Sequence, residues 1–219
     1  MSSDYALPNY TRREEIFNMV SHIVGGGMGV VALVMCATVA AWRHNAIGIV
    51  TSLVFGLTMI LLYTMSSIYH GLTNEKAKKV FRVLDHCTIY LLIAGTYTPL
   101  LLGALREVHA VMAWTLFGVV WGLALLAVTL TAVSFKRSQT FSMVCYIVMG
   151  WCVVIAYEYL IPAFTLNGVL LLLSGGISYT VGAVLYGIGK KRKYFHGVFH
   201  LFVLLGSFFH FLCIVLYAF

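Results

Sequence analysis

Charged side chains divide this sequence into seven long uncharged runs, at 16–42, 44–74, 86–105, 108–135, 138–157, 159–189 and 194–219. A helix crosses about 30 Å of hydrocarbon with about 20 apolar residues, and every run is long enough. Transmembrane helices are expected near 17–41, 46–71, 83–103, 110–133, 140–161, 166–188 and 195–218. A β-barrel would show alternating segments of about ten residues, whereas these runs are continuous. The chain is 61% hydrophobic and 10% charged, against about 25% charged in a soluble domain, so lipid must be the solvent for much of its surface. The first run is too long for a signal-peptide core and further spans follow it closely, so it is expected to stay. The expected architecture is an all-α integral membrane protein. A tail at 1–16 precedes a single seven-helix transmembrane domain at 17–219.

Charge sets the orientation. With the N-terminus in the cytoplasm, the inside segments hold Arg12, Arg13, Lys76, Lys78, Lys79, Arg82, Lys136, Arg137, Lys190, Lys191, Arg192 and Lys193, and only Arg43 and Arg106 lie outside. Such a bias in short loops fixes topology, and an odd number of spans then leaves the C-terminus outside. The net charge of +7 reads as this topology plus attraction to anionic headgroups. The basic residues are split among four segments, a poor surface for nucleic acid. Residues 72–82, LTNEKAKKVFR, form the longest expected interior loop, suited to an amphipathic interfacial turn. GGGMG at 25–29 suits close helix approach. Cys36, Cys87, Cys145, Cys152 and Cys213 fall in or at the edge of spans with no metal-ligand spacing, so they read as packed apolar residues.

Ionisable groups inside a membrane need a partner or a purpose. His44 and His109 fall in outside loops and read as solvated residues. The spans carry six more histidines. Under the expected topology His22, His70, His86, His196, His200 and Asp85 converge on the inner leaflet, with Glu15, Asn18 and His22 on one stripe of the first helix. His210 lies about 15 Å further along the last helix than His200. His196 and His200 stand one turn apart, at a spacing that lets two imidazoles bind one metal ion, and His70 adds a third nitrogen at equal depth. Three histidines and a water make an open zinc site, and copper, nickel or iron accept the same donors. The same spacing also serves histidines bonded to neighbouring helices, or a proton relay. Ser66, one turn before His70, reads either as an oxyanion or water partner or as a serine bonded to its own backbone, and spacing alone favours the backbone bond. Asp85 reads as a helix cap, as an acceptor for the metal-bound water or a general base, or as cap and functional group together.

Five segments then carry a resemblance: EEIFNMVSH (14–22), SSIYHGL (66–72), DHCTIYLLIAGTYTP (85–99), MGWCVVIAYE (149–158) and HGVFHLFVLLGSFFHF (196–211). Together they resemble the bacterial hemolysin III proteins, the prokaryotic branch of the progestin and adiponectin receptor family, distantly similar to alkaline ceramidases. The resemblance covers nearly the whole chain. It implies seven helices with a cytoplasmic N-terminus in the cell membrane, here the bacterial inner membrane, and a zinc ion near the inner leaflet. It implies His70, His196 and His200 as zinc ligands, Asp85 touching the metal through water, and Ser66 close by. Glu15, Asn18, His22, His210 and Glu158 also match family positions, with no role assigned.

The expected activity is metal-dependent hydrolysis of a lipid amide or ester, with Asp85 as base and Ser66 or the metal steadying the oxyanion. Three other classes remain. The first is a sensor that binds a free fatty acid in the same cavity, and the second is a regulator of membrane state. The third is the pore-forming cytolysin that the family name suggests, although no amphipathic pore-lining helix is found. The expected partner is a membrane lipid or free fatty acid.

Overall fold

The computed structural model describes residues 6–189 and 192–219, apart from the side chains of 136–140. Lys190, Lys191, the side chains of Lys136 and Arg137, and the first five residues of the expected tail lie outside the described residues. Among the described residues there is no strand. The long helices are α1 (Arg12–Trp42), α2 (Ala46–Gly71), α3 (Glu75–Pro99), α4 (Ala110–Val133), α5 (Phe135–Gly150), α6 (Tyr157–Gly189) and α7 (Phe195–Tyr217), with a single turn at Arg106–Val108 and a 3-10 stretch at Cys152–Ala156 between them. Six stretches are long and apolar enough to cross a membrane: Arg12–Trp42, Ala46–Gly71, Glu75–Val108, Ala110–Val133, Phe141–Gly189 and Phe195–Tyr217. Large apolar side chains face outward along them, Val24, Val111 and Ile188 among them, a surface that only lipid covers at low cost.

Helix starts explain where the expectations shift. Thr11 and Glu14 form a reciprocal capping box, so α1 begins at Arg12 and the expected tail is correspondingly shorter. Asn74 accepts from the Ala77 amide at 3.0 Å and starts α3 at Glu75. The expected loop at 72–82 therefore shrinks to three residues. Asp85, ten residues inside α3, is no helix cap. Past Pro99, which has no N–H to give the ladder, the helix slips into a buried π-helical stretch, Leu100–Leu105.

The stretch Phe141–Gly189 is too long for one crossing: 49 residues at about 1.5 Å each would exceed twice the hydrocarbon thickness. Thr165, three residues after Pro162, has φ 59° and ψ 171°, and there the chain doubles back. Trp151 Nε1 donates to Thr180 Oγ1 at 3.0 Å, a contact that a straight helix forbids. Beyond Thr165, α6 runs antiparallel to α7: Cys213 bonds to the Gly168 carbonyl, and His210 donates to Leu172 O at 3.1 Å. Gly175 leaves the space that the His210 ring fills. The helices pack in sequence, α1 on α2, α2 on α3, α3 on α4 and α6 on α7, with α7 closing back on α1. Within GGGMG, Gly25 and Gly29 face α2; a Cβ on Gly25 would strike the Tyr63 ring. The five cysteines are free thiols.

Candidate metal centre

The closure of α7 on α1 and α2 brings the three expected ligands together at the end of the bundle that holds the Lys78–Arg82 segment. His196 Nε2 lies 3.3 Å from His70 Nε2 and 3.1 Å from His200 Nε2. One nitrogen from each ring falls within 4.8 Å of the others. The opposite ring edges define the tautomers. His70 Nδ1 is 2.6 Å from Glu15 Oε2, and a carboxylate accepts, so Nδ1 holds a proton and, in the neutral ring that a metal requires, Nε2 presents a lone pair. His200 Nδ1 lies 3.3 Å from the Asn18 carbonyl and 3.2 Å from Ser21 Oγ. The Ser21 hydroxyl already donates to Asn18 O at 2.8 Å, so His200 Nδ1 donates and its Nε2 is also a lone pair. His196 can donate one proton to one of them at most. Converging lone pairs repel one another unless a cation lies between them.

The residues present fit a divalent ion. Three nitrogens at 2.0–2.1 Å from a tetrahedral zinc stand about 3.3–3.4 Å apart, close to the two spacings found. Nitrogen donors without thiolate suit zinc among common ions. Glu15 on the far edge of His70 is the carboxylate–histidine arrangement that orients metal-ligating imidazoles, and Lys78 Nζ holds the other Glu15 oxygen at 2.7 Å. Buried side-chain polar atoms without partners also concentrate here. Among the described residues they are Asn18 Nδ2 and Oδ1, both His22 nitrogens, Ser66 Oγ, His196 Nδ1 and, elsewhere, His210 Nδ1. Buried polar atoms are normally satisfied, so this cluster is where a further group belongs.

Ser66 is fully buried, and its hydroxyl does not make the expected backbone bond. The neighbouring Ser67 makes such a bond, to Tyr63 O at 2.7 Å. A cavity of about 150 Å³ opens beside the cluster, and Ser66, Asp85, His86, His196 and His200 share its wall with mainly aliphatic and aromatic side chains. His22 stacks on His200, ring centroids 3.6 Å apart. His210 joins the cavity wall from deeper in the bundle and is bonded to α6. One other expectation changes. His109 is a helix cap, accepting from the Met112 amide at 3.2 Å and packing on Tyr159. Glu158 is exposed and accepts from the Tyr157 hydroxyl at 2.9 Å.

Sequence reasoning missed Tyr10, Ser21 and Lys78. Tyr10 precedes α1 and stacks on His196, centroids 5.1 Å apart and 15° from parallel. Burial, then the nearby Tyr186, pushes its phenol far above its ordinary range, so it stays neutral. Ala6 O, four residues earlier, accepts from Arg82 at 3.1 Å, and Glu14 accepts from the Tyr194 amide at 2.8 Å. Residues 6–11 thus cross the mouth of the histidine cluster. Lys78 was visible only as topology charge, and Tyr10 only as part of a tail.

Fold and site define a polytopic α-helical membrane protein with a buried three-histidine cluster on an apolar cavity. The family described as Haemolysin-III related matches residues 10–211, and the chain belongs to that family. It is 39% identical over 206 residues to Hemolysin-3 of Bacillus cereus, covering 94% of this chain and 92% of that one. It is 40% identical over 209 residues to the Hemolysin-3 homolog of Bacillus subtilis (strain 168), covering 95% and 96%. A more distant relative is the human Monocyte to macrophage differentiation factor, 22% identical over 176 residues, 78% of this chain and 71% of that one.

Proposed function

We propose that this protein crosses the bacterial inner membrane seven times, with its N-terminus in the cytoplasm, and hydrolyses an amide or ester bond of a membrane lipid at a zinc ion held by His70, His196 and His200. The reversal at Thr165 splits Phe141–Gly189 into two crossings, and the basic residues favour the inner face for the histidine end. The observation that carries the reading is the convergence of the three Nε2 atoms, two of them lone pairs, beside an apolar cavity.

Zinc in such a site supplies Lewis acidity, polarising a carbonyl and acidifying water. The chain supplies the rest. Glu15, and Ser21 with Asn18 O, fix the imidazole tautomers. Aliphatic and aromatic walls take the acyl chain and exclude bulk water. Asp85, on the same wall, accepts the proton of the attacking water and returns it to the amine or alcohol as the acyl bond breaks, and the Ser66 hydroxyl donates to the carbonyl oxygen as it gains charge.

The test is metal analysis of purified protein, with turnover of a panel of ceramides and acyl amides. About one zinc per chain, lost in His196→Ala/His200→Ala, and turnover abolished by Asp85→Ala are expected. A protein that keeps full turnover without metal overturns the reading. The apolar cavity wall also favours a second reading, a fatty-acid sensor, in which an acyl chain binds without product. The relatives named hemolysins suggest a third, membrane lysis, which dye release from liposomes at low protein dose would reveal.

A further inference from the structure

We propose that His86 recognises the lipid headgroup, accepting a hydrogen bond from an N–H or O–H donor next to the scissile carbonyl. This inference rests on the acyl-lipid reading of the cavity and narrows the substrate to secondary amides and hydroxylated headgroups. His86 is not one of the three clustered histidines, yet it shares the cavity wall with His196, His200 and Asp85. Its Nδ1 lies 2.9 Å from the Arg82 carbonyl. A carbonyl only accepts, so Nδ1 carries a proton and, in the neutral ring, Nε2 is a lone pair. Among the described residues nothing bonds that nitrogen, and the side chain keeps 17% of its surface exposed on the cavity wall.

The ring is held before any ligand arrives. Phe135 packs against it edge to face, centroids 4.9 Å apart. The Tyr146 hydroxyl donates to the His86 carbonyl at 2.8 Å, and Tyr146 packs on Tyr90. Asp85 is not consumed by the ring, because the two groups are 3.9 Å apart, beyond hydrogen-bond length. His86 therefore adds to the wall a fixed acceptor that can only be satisfied by a donor. A fixed polar group in an apolar pocket discriminates strongly against an analogue lacking its partner.

The experiment compares N-methyl-lauramide, which has one N–H, with N,N-dimethyl-lauramide, which has none, by calorimetric binding to the purified full-length protein in detergent. About tenfold tighter binding of the secondary amide is expected, the value of one hydrogen bond to a desolvated acceptor. His86→Met should bind both amides alike at unchanged metal content, and His86→Gln, whose side-chain carbonyl accepts, should restore part of the preference. Equal binding of the two amides to the wild-type protein, or a preference that survives in His86→Met, overturns the inference and leaves the acyl-lipid reading standing. Failure of both amides to bind at any concentration overturns the two together.

Discussion

Glu15 offers the sharpest test of the proposed metal centre, because it contacts a proposed ligand, His70, without being one. Its carboxylate lies 2.6 Å from His70 Nδ1 and 2.7 Å from Lys78 Nζ. Glu15→Gln keeps the shape and leaves a carbonyl oxygen to accept from Nδ1, but it removes the charge that makes the imidazole a stronger donor to the metal. Losing such a partner costs about 10–100-fold in metal affinity, or about 1.4–2.7 kcal/mol. The carboxylate is 17% exposed, so screening is partial and the lower half of that range is expected. The assay is competition with a chromophoric zinc chelator in detergent, with stoichiometry checked at saturating zinc. Lys78→Met is the companion variant: it frees the carboxylate from its competing cation, so affinity should hold or rise. Glu15→Gln with zinc affinity within threefold of wild type, a difference of about 0.65 kcal/mol, would refute the claim that Glu15 tunes His70 for a metal.

Further outcomes follow from the same contacts. Tyr10→Ala should speed removal of bound metal by an aqueous chelator about tenfold or more, while Tyr10→Phe, which keeps the stack on His196, should match wild type; the chelation time course reads both. Ser66→Ala removes a buried hydroxyl without a partner, so metal-stripped protein should unfold no more easily, or resist unfolding by about 1 kcal/mol more, while turnover falls; thermal melts and rates separate the effects. Gly25→Leu drives a side chain into the Tyr63 ring and should cost about 1–3 kcal/mol, measured by unfolding in mixed micelles. Gly27→Leu, with open space around its Cβ position, should cost little by the same measure.

The legible part of this protein is the part governed by local period and by the solvent. Charge-free runs located α2 and α4 to the residue, because in lipid a helix must satisfy its own backbone and its ends fall where polarity returns. His196 and His200 were legible because one turn separates them, and His70 because topology assigns depth. Asp85 illustrates the limit. It is the last charged residue before an apolar run, so it reads as a start, but a helix begins where a side chain caps it, and Asn74 does so eleven residues earlier. Thr165 is similar: the gap between the fifth and sixth expected spans includes it, yet nothing in a threonine announces the positive φ found there.

Tyr10, Ser21 and the orientation of the His86 ring were illegible for a different reason, and it bears on function. Each acts through an edge or face of a ring that another residue has already turned. The Arg82 carbonyl turns His86, the Asn18 carbonyl engages both Ser21 and His200, and Tyr10 stacks on His196 where the Glu14–Tyr194 bond ties the starts of α1 and α7 together. In each case the partner is a backbone atom, which no side-chain pattern in the sequence encodes. Residue types limit which atoms can bind a metal, while the carbonyls and amides at the helix ends decide which lone pairs are left to do so. A change such as Glu14→Gln, far from any ligand in the sequence, should therefore loosen the mouth of the site and raise the chelation rate. Equal rates in wild type and Glu14→Gln would mean that the histidine cluster is held by α1, α2 and α7 packing alone.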